Sequence, residues 1–136
     1  MSVVTELIRK EADGGLSFGN YELGTKAKLD NYEVGGDLYK VKTYCDITKL
    51  EKNGMFVYES VPGTAVHDFV ENENGVDFEV EAGRDCQITL ELLENQEYTV
   101  TVNGEVLGQM TTNMGGKLSL SLEMEPGVGQ KVSVKK

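Results

Sequence analysis

The sequence predicts an all-β protein: an antiparallel β-sandwich-like C-terminal lobe of about seven strands, with an N-terminal β-meander lobe beside it. Three observations lead there. Segments of β character recur at short, regular intervals from Thr64 to the end of the chain. Turn residues separate them, the clearest being Asn103-Gly104. Helical periodicity is confined to one stretch near the amino end. Asn-Gly favours the left-handed backbone of a type I′ hairpin, so residues 98–102 and 105–110 read as its two arms.

The elements follow in order. In residues 3–12, Val4, Leu7 and Ile8 share a helical stripe that Asp13-Gly14-Gly15 would end. The same residues also read as a strand turning at Asp13-Gly14-Gly15 into residues 16–21, and the β character downstream favours the strand. Residues 26–34 alternate between polar and apolar, and Gly35-Gly36 supplies a permissive turn. In residues 37–44, Tyr39, Val41 and Thr43 oppose Lys40, Lys42 and Tyr44 at period two, which places one set inward and both lysines in water as a solubilising face. Asn53-Gly54 turns into Met55-Phe56-Val57-Tyr58, an apolar run suited to a strand buried on both faces. Pro62 cannot donate to a ladder and Gly63 relaxes the backbone, so Ser60-Val61-Pro62-Gly63 reads as a linker dividing lobes 1–62 and 63–136. Beyond it lie 64–70, 76–81, 87–93, 97–102, 105–111, 118–124 and 131–135, each bounded by residues that tolerate reversal.

Composition sets the limits. The chain has 136 residues, 39% of them hydrophobic, enough for one soluble domain or two small packed lobes. A chain of this size buries roughly two-thirds of its unfolded surface, a core that needs no staples. The net charge of −10 disfavours nucleic-acid backbones and anionic membranes, and leaves a solvated acidic surface. The apolar runs are too short to cross a bilayer. The first ten residues lack a basic region ahead of an apolar stretch, which argues against a signal peptide. Cys45 and Cys86 are then expected to be reduced, and the protein cytoplasmic. Neither thiol sits in the positive surroundings that reactive thiols need.

Candidate chemistry is sparse. His67 is the single histidine, with Asp68 beside it and Ser60 seven residues earlier. Adjacent residues on a strand face apart, so the three are not expected to form a nucleophilic triad. Asp77, Glu79 and Glu81 share one strand face; they have the oxygen chemistry of a Ca²⁺ site but not its loop, and a solvated, aggregation-resisting face is expected instead. The segment 111–117, with Asn113, paired glycines and Lys117, is a shaped loop of the kind that binds ligands at sandwich ends. No nucleotide loop or metal-ligand cluster appears, and no cofactor or metal is expected.

Three stretches carry a resemblance: Tyr58-Glu59-Ser60-Val61-Pro62-Gly63-Thr64-Ala65-Val66, Thr112-Asn113-Met114-Gly115-Gly116-Lys117-Leu118-Ser119, and Leu50-Glu51-Lys52-Asn53-Gly54-Met55-Phe56. Together they resemble a family of small acidic proteins of Firmicutes bacteria labelled "endosialidase catalytic beta chain", over nearly the whole chain. The resemblance implies a glycan-binding or sialidase-associated accessory role. No catalytic residue carries over. Sialidases grip the substrate carboxylate with an arginine cluster, whereas this chain has only Arg9 and Arg84, and Tyr58 and Glu59 would face apart on a strand. The expectation is therefore a non-enzymatic binding or assembly module whose ligand the sequence does not identify. Its partner would be another protein, a further copy of itself or a small glycan. Tyr39, Tyr44, Tyr58, Asn113 and Lys117 are the candidate contacts, the tyrosines because the N-terminal half is rich in them, Asn113 and Lys117 because they belong to the shaped loop.

Overall fold

A computed structural model describes residues 2–136. Among the described residues there is no helix, and thirteen strands form two antiparallel sheets. In chain order they are β1 (Ile8–Lys10), β2 (Leu16–Phe18), β3 (Ala27–Val34), β4 (Asp37–Tyr44), β5 (Ile47–Lys52), β6 (Met55–Val61), β7 (Ala65–Asn72), β8 (Gly75–Glu81), β9 (Cys86–Glu91), β10 (Glu97–Val102), β11 (Glu105–Thr111), β12 (Lys117–Leu122) and β13 (Gln130–Lys135). The seven-stranded sheet runs β1-β2-β7-β8-β13-β10-β11, and the six-stranded sheet runs β12-β9-β6-β5-β4-β3.

Turn chemistry sets the hairpins. Asn53-Gly54 and Asn103-Gly104 each hold two successive positive φ angles, 53° and 80°, then 52° and 82°. Gly35-Gly36 does the same at 60° and 91°. These are the left-handed pairs that the strand twist requires of a two-residue loop. In residues 3–12 the strand is confined to β1, because Leu7 takes a φ of 74° and ends any regular run ahead of it.

The expected meander is present as β3-β4-β5-β6, consecutive neighbours in one sheet. It does not stand alone. β9 and β12 complete that sheet, while β1 and β2 join the other sheet through β7. Both sheets thus draw strands from either side of residue 62, and one buried cluster includes side chains from both stretches. Tyr58 on β6 meets Phe78 on β8 edge to face, with ring centroids 5.8 Å apart, and packs likewise on Phe18 and Phe69. Such pairs are worth about 0.5–1.5 kcal/mol each beyond the area they bury. They lock one sheet to the other.

The segment read as a linker is a packed corner. The Gly63 N–H donates to the Cys45 carbonyl at 3.1 Å, and a Cβ on Gly63 would stand 2.1 Å from the Tyr44 carbonyl oxygen. Beside it lies a buried hydroxyl network. Thr43 and Thr48 share a 2.8 Å bond, Thr48 donates to the Thr64 carbonyl, and the Thr64 hydroxyl meets both Tyr58 and Ser60. Every member is fully buried. A buried hydroxyl without a partner costs about 1–3 kcal/mol, so this closed set fixes where β6 turns into β7.

β6 itself carries an irregularity: Leu50 faces Tyr58 but Glu51 faces Phe56, leaving Val57 as the extra residue. Val57 and Tyr58 are consequently both buried. That bulge accounts for the continuous apolar run, since only two adjacent residues of the strand, and not all four of 55–58, point into the core.

Candidate functional site

The structure distributes the sequence-predicted residues instead of gathering them. Tyr58 and Tyr39 belong to the core, 0% and 8% exposed, where they cannot offer their rings to a sugar. The direction of each strand face decides this: Tyr39 pairs with Tyr32 on the inward side of β4. Tyr44 lies on the outward side, half-buried, with the Lys26 ammonium 6.0 Å above its ring. Asn113 and Lys117 do meet, but as parts of one turn. The Asn113 carboxamide oxygen accepts the N–H groups of Gly115 and Lys117, so its acceptor is spent on the loop. The Lys117 ammonium reaches Glu91 at 2.5 Å and sits 3.8 Å from the centre of the Phe56 ring.

His67, Asp68 and Ser60 also stay apart in function. The His67 Nε2–H donates to the Ser2 carbonyl at 2.6 Å, and the Ser60 hydroxyl is paired with Thr64. Asp68 sits in a bulge of β7 at a φ of 54°. Cys45 and Cys86 are both free thiols. Burial, with Asp85 alongside, pushes the Cys86 thiol up to about 11, the reverse of what a nucleophile needs.

The acidic row on β8 divides. Asp77 and Glu79 point into water, Asp77 paired with Lys135 at 2.5 Å, and with Asp68, Thr101, Lys131 and Ser133 they line a hollow of about 400 Å³. Glu81 is different. It is 3% exposed and accepts the Tyr21 hydroxyl at 2.8 Å, while its second carboxylate oxygen has no partner among the described residues. Burial and the neighbouring carboxylate hold the Tyr21 phenol well above its usual range. A phenol so held keeps its proton and is a positioning group, not a nucleophile. Among the described residues, no three acidic, histidine or cysteine side chains stand together as a metal site requires. No helix is long and apolar enough to cross a membrane.

Two surface features escaped the sequence reading. The first is the outer face of the six-stranded sheet, where β3, β4 and β5 bring Lys28, Lys40, Lys42 and Lys49 around one hollow of about 130 Å³ with Glu51. No single strand contributes more than two of these lysines. Only the register unites them. The second is β11, an edge strand on which Val106 and Leu107 are 64% and 54% exposed. Its ladder to β10 slips between Val100 and Thr101, so Leu107 is an extra residue held outside the regular pairing.

No family model, no curated protein and no solved structure matches the chain.

Proposed function

We propose that the protein is a non-enzymatic binding or assembly module that associates with a second copy of itself along β11. The single observation that carries this reading is the exposure of Val106 and Leu107 on a strand whose outer backbone groups have no ladder partner. A strand edge with apolar side chains and neither lysine nor proline is a template for another strand. Over its seven residues β11 has one charge, Glu105.

The other three edges are guarded. β3 carries Lys28, Asp30 and Glu33 and an irregularity at Leu29/Tyr32. β1 has three residues, two of them basic. β12 turns its leucines inward and leaves Lys117 and two serines outward. Pairing of β11 with itself about a two-fold axis at Gly108 sets Val106 against Met110 and Glu105 against Thr111, so no like charges oppose one another.

Size-exclusion chromatography with light scattering tests the reading. The mass should exceed that of one chain and grow with protein concentration. It should also grow with salt, because each copy carries −10 and screening removes the repulsion. The double variant Val106→Lys/Leu107→Lys should run as a single chain under all these conditions. A wild-type protein that stays monomeric throughout contradicts the proposal. The glycan-associated role implied by the resemblance is distinguished by a fluorogenic sialoside: turnover by the purified chain would replace this reading with an enzymatic one.

A further inference from the structure

We infer that the lysine-lined hollow on the outer face of the six-stranded sheet is a binding site for a compact, multiply charged anion of the phosphate type. Lys28 stands directly across from Lys42, and Lys42 directly across from Lys49, so three ammonium groups form one row over three strands. Lys40 lies two residues along β4 on the same face. Neighbouring strands are about 4.8 Å apart and alternate residues about 6.8 Å apart, so the four side chains arise within one small patch and converge over it.

Like charges directly opposite on paired strands destabilise the pairing. In this protein the row runs against the composition as well. Acids outnumber basic residues 23 to 13, yet four of the 13 crowd one hollow with a single acid, Glu51. Glu51 faces Lys40 across the ladder and lies 3.7 Å from Lys49, which leaves Lys28 and Lys42 without a carboxylate partner among the described ion pairs. A bound polyanion offsets the repulsion between these aligned ammonium groups.

The residue type narrows the ligand. The patch is made of lysines with no arginine. Lysine is a hydrated point charge on a flexible stem that binds phosphate through charge alone, without the directional fork by which a guanidinium matches carboxylate and phosphate alike, so the patch selects for density of charge. The amides of β4, at the centre of the patch, are engaged in ladders on both sides, so recognition there is by charge density and not by directed backbone donors. Extended nucleic acid is disfavoured by the net charge of −10 around the patch. The ligand that fits is short and dense: a di- or triphosphate group on a small molecule, or a lipid headgroup bearing the same chemistry.

Isothermal titration of the full chain with tripolyphosphate, pyrophosphate and orthophosphate at equal, low ionic strength tests this site. Affinity should fall in that order and weaken steeply as salt is added, opposite to the salt response expected of β11 association. Lys42→Gln should weaken tripolyphosphate binding at least tenfold. It should also leave the unliganded melting temperature equal to or above wild type, because it deletes the central charge of the row. Lys28→Gln, at the exposed edge, should weaken binding in the same way. Absence of saturable binding by wild type overturns the proposal, as does unchanged affinity in both variants. Phosphatidylcholine vesicles with and without a phosphoinositide form the second arm. Vesicle binding that free tripolyphosphate competes away supports the shared chemistry. Vesicle binding with no affinity for free tripolyphosphate overturns it in favour of a membrane surface.

Discussion

Gly75 and Gly54 both hold positive φ angles, +145° and +80°, but their surroundings differ completely. A Cβ at Gly75 would lie 1.8 Å from the Val134 carbonyl oxygen on β13, while one at Gly54 would meet nothing within 4 Å. Gly54→Ala should therefore cost about 1 kcal/mol, the strain of a left-handed alanine alone. Gly75→Ala should cost about 3 kcal/mol or more, because backbone on two strands must move apart as well. Urea denaturation of the two variants measures the difference. The sequence marks both residues as turn formers, and the turns are there. That one of them also abuts β13 was not readable, since β13 lies more than fifty residues downstream. Tyr39 and Tyr58 teach the same lesson from the other side. A count of tyrosines says nothing about which way a ring points, and the hydroxyl that makes tyrosine look sugar-facing is, at Tyr58, satisfied inside the core by Thr64.

Among the elements, β4 matches the span its alternation predicts, because Tyr39, Val41 and Thr43 all turn inward, and each of the seven C-terminal segments contains a strand. β5 escaped delineation because its pattern is inverted: Thr48 is buried and Ile47 is not, a reversal that the hydroxyl network imposes. The lysine hollow was unreadable for another reason. Lys28, Lys42 and Lys49 are ordinary surface lysines in their own strands, and the hairpin registers alone align them. Element position also predicts local stability. Amides of β8, β13, β5 and β6, flanked on both sides by strands, should exchange slowest with deuterium. Those of β1 and β11 should exchange fastest in dilute protein. If β11 pairs with a second copy, protection over 105–111 should rise with concentration while that of β1 stays constant.

For the molecule as a whole, the alkaline side is where stability should fail first. Burial and Asp85 raise the Cys86 thiol from its usual 9.0 to about 11, and burial also raises Tyr21, Tyr39 and Tyr58. Each raised group keeps in the folded chain a proton that the unfolded chain releases. The corresponding stability is complete below the unfolded value and disappears as pH climbs toward the folded one. Unfolding free energies from denaturant titrations should hold up to pH 9, fall between 9 and 11 by an amount of order 2 kcal/mol from Cys86, and fall further as the tyrosines ionise. In Cys86→Ala the decline should begin later, near pH 10.

The strand order carries a last consequence, for the time of synthesis. β2 waits for β7, so a ribosome must deliver β8, about eighty residues of chain, before Phe18, Phe69 and Phe78 complete the layer opposite Tyr58, and β6 gains its second neighbour only with β9. Until then the nascent meander exposes an apolar face to every neighbouring polypeptide, and the slow, non-local closure typical of such topologies prolongs that exposure. Holdase chaperones that recognise extended apolar segments should therefore crosslink to translation intermediates ending between β6 and β9, and release them once β9 has emerged.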